Sequence, residues 1–297
     1  MADCTITKLA AAYKGARVVE KCAPNTLEVD RKGCVALRVM GVKRVSQLRM
    51  QHILKHRELR TEQGVSICTL NVETEAMKRM MRWGIANGVC AETRPLKLVV
   101  NSKRLKDRHL PPRRAFTIEE VRSLLHHTPA HWLPLFRLYL CTGMRRAEAL
   151  ELPWSEVAGD VINLSGERTK TGRGRTVLLG PRMASMLAAH PRDGGYVFPA
   201  PRTGKPYGLP APGNAMKAAA EKAGWADLGG LSPQTLRRTF ATIAYHEGEK
   251  NELLVGALLG HKKKGTTLAG EAYIQVAAEE LRPCVEKVEA VMLGEEA

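Results

Sequence analysis

Thr142-Gly143-Met144-Arg145-Arg146-Ala147-Glu148-Ala149-Leu150 decides how the rest of this chain is read. A Thr-Gly pair ahead of an apolar-periodic run marks a helix start, and here the first turn carries an arginine. The spacing predicts a helix over 144–151 with Met144, Ala147 and Leu150 facing the core. Arg145 then leaves the first turn, where backbone N–H groups lack helical partners and attract anions. Glu148 lies three residues on, within reach of Arg145 on a helix surface. A guanidinium held in this way presents a planar fork that suits a phosphate. Taken alone, the string reads more simply as a surface Arg–Glu pair.

Further on, Pro233-Gln234-Thr235-Leu236-Arg237-Arg238-Thr239-Phe240-Ala241-Thr242 repeats the theme. Pro233 suits a helix start, and a helix is expected over 234–246. Leu236, Phe240 and Ile243 form its apolar stripe, which points Arg237 away from the core. The next helix, 250–259, has Leu254, Ala257 and Leu258 on its stripe and ends at Gly260, with His261 directly after. A histidine past a C-terminal glycine is usually a surface cap. Lying between an arginine helix and a tyrosine gives this one more weight.

Between the two arginine strings, Val161-Ile162-Asn163-Leu164 and Thr176-Val177-Leu178-Leu179 flank Arg168–Arg175 around Gly172. Apolar and β-branched runs about a glycine turn predict a small antiparallel sheet. Lys170 and Arg173 sit near its tip. A lysine there either touches phosphates or reaches in to protonate a leaving oxygen, and the context leaves both open. Tyr273 lies in a last helix expected over 266–276. A single tyrosine ordinarily packs, but its phenol ionises near pH 10, roughly, well below an alcohol. A phosphotyrosyl ester therefore keeps the energy of a broken phosphodiester. Arg145, Lys170, Arg237, His261 and Tyr273 together supply a nucleophilic hydroxyl, fixed cations, a general acid and a hydrogen-bond donor. Those groups suffice to break and remake a phosphodiester without a metal or a nucleotide.

Working outward, 297 residues suggest two domains. The net charge of +16 points to a polyanionic partner. Residues 1–110 hold 22 Lys/Arg against 10 Asp/Glu, and residues 111–297 hold 24 against 20. Nucleic acid is favoured over a membrane, since no basic amphipathic helix or lipidation signal is present. Residues 5–99 read as helical, with elements near 5–13, 26–39, 46–60 and 69–86. In the last of these, Val72, Ala76, Met80 and Trp83 make the apolar stripe, and Lys78, Arg79 and Arg82 form a separate basic surface. Residues 101–115 carry Lys103, Arg104, Lys106, Arg108, Arg113 and Arg114 beside Pro111-Pro112, and read as a basic linker along a phosphate backbone. Thr117-Ile118-Glu119-Glu120 is a capping-box start for the second domain, with helices near 117–127, 131–141, 181–189 and 212–223.

The seven cysteines include no CxxC pair, so neither a zinc knuckle nor a disulfide framework is expected. His52 and His56 lie one helical turn apart without a third ligand at suitable spacing, so no metal is expected. No leader peptide or bilayer-length apolar run appears, and a cytoplasmic, nucleoid-associated protein is expected.

In their order and local contexts, TGMRRAEAL, the RTKTGR hairpin, PQTLRRTFAT, LLGH and the late Tyr273 resemble the tyrosine recombinases, the phage-integrase type of site-specific DNA recombinase. The likeness is strongest from Phe116 to Ile274 and extends more weakly to LNVETEAMKRMMRWGIANGV in the first domain. It implies a mainly α fold with a small antiparallel β-sheet, arranged as a two-domain DNA clamp. The expected parts are a helical core-binding domain (1–100), a linker (101–115), a catalytic domain (116–276) and a helical tail (277–297).

The resemblance also implies roles. Tyr273 would attack phosphorus and form a 3′-phosphotyrosine. Arg145, Arg237 and His261 would hold the phosphate, with Glu148 in support. Lys170 would be the general acid for the leaving oxygen, and Arg173 and Arg238 would add DNA contacts. No cofactor is implied. The partners are double-stranded DNA and three further copies of the chain, which forms a tetramer on two sites and is a monomer when free. Directionality or DNA-bending factors are further candidate partners. The chain begins close to its first helix, so a separate arm-binding domain is not expected.

One position departs from the family pattern: Gln234 stands where a histidine is usual. Gln can hydrogen-bond but cannot exchange protons with a tyrosine hydroxyl. The tail, with Leu281, Val285, Val288 and Met292 on a helical stripe, is expected to dock on a neighbouring protomer. Two rivals share parts of this reading. A type IB topoisomerase would use the same chemistry as a monomer, and a DNA-binding regulator could carry a recombinase fold without activity, with Gln234 its only support.

Overall fold

The computed structural model describes residues 4–90, 114–169, 172, 174–261 and 278–294, and the chain divides into one unit over 1–110 and another over 111–297. In the first unit, α1 (Ile6–Val19), α2 (Pro24–Val39), α3 (Met50–Glu62) and α4 (Ile67–Ala86) enclose a core of Leu9, Tyr13, Leu37, Met77 and Met80. Thr5 and Ser66 accept the N3 amides of α1 and α4, which explains where both helices begin. α1 runs beyond the expected Tyr13, because Arg17 on its last turns pairs with Asp30 at 3.0 Å. The stripe on α4 differs from expectation at Val72, which is exposed. The buried face is Leu70, Met77, Met80 and Met81 with Glu73 and Thr74. Polar groups enter that face because they are paired: Glu73 accepts from Arg60 at 2.8 Å and lies 3.4 Å from His56, and Thr74 accepts from Arg57.

The second unit is helical around one small sheet. α5 (Ile118–His127) starts at the expected capping box, with Thr117 and Glu120 bonding each other's backbone N–H. Then come α6 (Leu133–Thr142), α7 (Arg146–Leu150), the strands β1 (Val157–Ala158), β2 (Val161–Leu164) and β3 (Arg175–Leu178), and α8 (Pro181–Ala188). α9 (Ala211–Lys222), α10 (Pro233–Glu247), α11 (Glu252–Leu259) and α12 (Ala278–Leu293) follow. The sheet is antiparallel in the order β1-β2-β3, with Ile162 opposite Val177 and Leu164 opposite Arg175. Ile162, Leu164 and Val177 turn to the core, while Asn163 and Thr176 bond each other on the outer face. α6 and α10 pack at the centre, with Phe136, Leu138 and Tyr139 of α6 and Leu236 and Phe240 of α10 in one core. The fold is therefore mainly α with a small antiparallel sheet. The helix expected over 266–276 lies outside the described residues.

The tail corrects an expectation. α12 packs on its own unit, burying Cys284, Val285, Val288 and Met292 in the same core as α6 and α10. Glu289, only 2% exposed, accepts the backbone N–H groups of Arg182 at 2.9 Å and Met183 at 2.8 Å, capping α8 from another element. A carboxylate at a helix N-terminus is favoured by hydrogen bonds and by the dipole. Arg182 also donates to the carbonyl of Gly294.

Candidate active site

α6 ends at Thr142, and Gly143 takes the left-handed conformation at φ +59°. The chain then turns so that Arg145 is the N-cap of α7, one position ahead of the helix rather than inside its first turn as expected. That shift rotates the short helix. Glu148, Ala149 and Leu150 are buried, and Ala147 is exposed rather than facing the core. Glu148 closes the start of α7 by accepting the Arg145 N–H at 2.8 Å, and it also accepts from Arg145 Nη1 at 2.8 Å.

The carboxylate of Glu148 has a second cation. Arg175, the first residue of β3, donates Nη1 to Oε1 at 2.9 Å and Nη2 to Oε2 at 2.8 Å, a bidentate fork. Arg168 adds a bond from Nη2 to the Glu148 carbonyl at 2.8 Å, and it also pairs with Glu156. Burial alone would push the Glu148 carboxyl up. The fork from Arg175 and the Arg145 N–H outweigh it and hold the group at about 2. Glu148 is thus a fixed anion, 2% exposed, between two arginines.

Arg237 sits on α10, and here too the structure differs from expectation. The side chain does not point away from the core but is buried, 4% exposed. Its guanidinium is satisfied by main-chain carbonyls, with Nη1 donating to Gly143 and Nη2 to Leu259 at 2.8 Å. Burial lowers its pKa to about 10, with the cations Arg145 and Arg175 adding to the effect and Glu148 opposing it, so it remains charged near neutrality. α11 ends at Gly260, also left-handed at φ +61°, and His261 emerges there, exposed to solvent. The stripe on α11 is Leu254, Leu258 and Leu259, and Ala257 is exposed. Arg237 Nη2 lies 3.2 Å from Nε2 of His261. A guanidinium only donates, so Nε2 accepts and the neutral ring carries its proton on Nδ1. Partial desolvation, and then Arg237, Arg145 and Arg175, hold the His261 pKa below the ordinary histidine value.

The structure therefore brings together Arg145 and Glu148 from the start of α7, Arg237 from the second turn of α10 and His261 from the end of α11, and adds Arg175 and Arg168. With one carboxylate among Arg145, Arg175 and Arg237, the cluster carries a surplus of positive charge and suits an anion. Gln234 is exposed near the start of α10, and Arg238 is half-buried on the same helix. Lys170, Arg173 and Tyr273 lie outside the described residues, as do Lys103, Arg104, Lys106, Arg108 and Arg113. Arg114 pairs with Glu120 and lies over the rings of Phe116 and Trp225, at 5.6 and 6.0 Å from their centroids.

In the first unit, Arg79 is committed to Asp30 at 2.6 Å, Lys78 to Glu75 at 3.0 Å, and Arg82 lies 3.8 Å from Glu75. His52 accepts the backbone N–H of Arg49. Among the described residues no cluster of three or more His, Cys, Asp or Glu could hold a metal ion, and no helix is long and apolar enough to cross a membrane.

The phage integrase family matches residues 114–280, and the chain belongs to that family, the tyrosine recombinases. No curated protein matches it. Among solved structures, a lambda integrase tetramer bound to a Holliday junction superposes with a TM-score of 0.69 at 17% identity, over 89% of this chain and 79% of that one. A lambda integrase dimer bound to a COC′ core site gives 0.69 at 16%, over 92% and 99%. The Tn1549 transposon integrase in complex with circular intermediate DNA gives 0.65 at 16%, over 94% and 98%. At such identity the likeness is one of fold.

Proposed function

We propose that this protein is a site-specific DNA recombinase that cleaves and rejoins strands through a covalent 3′-phosphotyrosine on Tyr273. The observation that carries the reading is the convergence of Arg145, Arg237 and His261 in one positively charged cluster, braced by Glu148. Arg145 and Arg237 stabilise the charge that grows on the non-bridging oxygens of the scissile phosphate. His261 donates to the same phosphate, and Lys170 protonates the 5′-oxygen as it leaves. The phosphotyrosine then accepts attack by a 5′-hydroxyl, so the bond is remade without an external energy source. Residues 1–100 act as the core-binding domain, 101–115 as linker, 116–276 as the catalytic domain and 277–297 as the tail. Four copies act on two duplexes and exchange strands through a Holliday junction, and the free protein is a monomer. The similarity to integrases solved on DNA, on a junction and on a circular intermediate supports this assembly.

The test is a denaturing gel of protein incubated with nicked DNA carrying candidate sites from beside its own gene. An adduct that disappears in Tyr273→Phe supports the reading. Tight binding with no adduct would shift the assignment to a regulator with a silent site, with Gln234 as the residue to examine.

A further inference from the structure

Arg175 was not among the residues that sequence reasoning selected, yet it touches the site at two places, Glu148 and Gly260. Its fork takes both oxygens of Glu148. Its Nε is buried and makes no hydrogen bond among the described residues. Its aliphatic stem passes under Gly260, where a Cβ would run into Cδ and lie 2.9 Å from Nε. A desolvated, unpaired N–H is unfavourable and persists only where the surrounding arrangement requires it. The side chain is 13% exposed and both terminal nitrogens are engaged, so it is built into the support rather than offered to a ligand.

The electrostatics say what that support does. With Arg145 as sole partner, Glu148 would pull both ends of its carboxylate onto one fork and neutralise the cation meant for an anion. Arg175 takes the larger share. Arg145 is left with one side-chain bond, from Nη1, and its Nη2 and Nε make no hydrogen bond among the described residues. Arg145 remains 25% exposed and oriented.

We propose that Arg175 is a positioning residue: through Glu148 it orients Arg145 with its fork open, and through the Gly260 contact it sets the backbone from which His261 projects. The inference rests on Arg145 and His261 being phosphate ligands, the reading given under the proposed function.

Two variants test it in the full chain, R175M (apolar, similar length) and R175K (charge kept, fork lost). Three quantities are read: noncovalent DNA affinity, the first-order rate of adduct formation on nicked DNA, and affinity for inorganic phosphate with R145A as the reference for loss. R175M should lower the adduct rate by about 10- to 100-fold, the scale of a misplaced catalytic group. DNA affinity should change by less than about threefold, and R175K should recover part of the rate. In an E148Q background the R175M effect should shrink to less than about threefold, because coupled residues are not additive. Phosphate affinity should fall in R175M as it does in R145A.

A full R175M loss on top of E148Q would mean a merely structural role and overturn the proposal. So would R175M phosphate affinity equal to wild type, whatever the wild type cleaves. No wild-type adduct together with weakened phosphate binding in R175M would sink the strand-cleavage reading and leave the positioning role standing. Should R175M not fold, R175K carries the same comparisons.

Discussion

Nη2 of Arg237 donates to Nε2 of His261 across 3.2 Å, so the histidine is held by a permanent cation and kept neutral. Partial desolvation and the surrounding arginines depress its pKa below the ordinary 6.5. By NMR, the His261 ring should titrate with a midpoint below 6.5, and Arg237→Met should move it upward. The sign for stability follows. Below about 6.5 the unfolded chain binds a proton that the folded chain refuses, so stability falls with falling pH until the folded pKa is passed. A His261→Asn variant should show a flatter pH dependence of unfolding in that window. An unchanged slope would mean the ring is not desolvated.

Glu148 behaves in the opposite sense. Its carboxyl is held at about 2 rather than 4.5, a difference corresponding to about 3 kcal/mol in favour of the folded state above pH 4.5. That contribution disappears as pH falls from 4.5 toward 2. Glu148→Gln should therefore cost about 3 kcal/mol in urea unfolding at pH 7, and the gap between variant and wild type should close on acidification. A constant gap would locate the loss in packing instead.

Much of this site was legible, and the misses have physical causes. The strands at 161–164 and 175–178 announce themselves by β-branched alternation, and Thr117 with Glu120 by a capping box. A helix starting at Met144 turns Ala147 inward. Gly143 instead turns the chain left-handed and moves the start to Arg146, which puts Glu148 inside. The stripe of Leu236, Phe240 and Ile243 points Arg237 outward, and periodicity cannot see the two carbonyls that satisfy it inside. Arg175 did leave a signal. It shares the core face of β3 with Val177, and an arginine on an inward strand position demands a buried anion. That anion comes from a helix far away in sequence, which is why the pair was missed.

Gly143→Ala tests the turn itself. The residue sits at φ +59°, where a Cβ costs about 1–2 kcal/mol. The new methyl would also collide with the Phe240 ring and lie 2.9 Å from Leu259 Cδ2. We expect a loss of about 2–4 kcal/mol, measured by urea unfolding, from strain and overpacking together. An adduct rate that falls further than the folded fraction would show that Arg145 and Arg237 have moved apart.

Glu289→Ala should expose the first amides of α8 and loosen α12. A lost cap of this kind costs about 0.5–2 kcal/mol. Hydrogen exchange over residues 278–293 should accelerate more than over α6. Uniform acceleration would mean that α12 melts only with the whole unit.

Gln234→His should raise the cleavage rate or leave it unchanged, measured as adduct formation on nicked DNA. Gln234 is exposed near the start of α10, so the larger ring can be accommodated. A large drop would show that the site is organised around the amide.

The groups that grip Arg237 are the carbonyls of Gly143 and Leu259, and every residue has a carbonyl. No substitution at Leu259 deletes the bond it supplies, and at Gly143 only the turn has to be kept. The orientation of this arginine is therefore inherited from chain path rather than from side-chain identity. Lineages can rewrite most of the surrounding letters and still aim the same cation, provided the two bends at Gly143 and Gly260 survive.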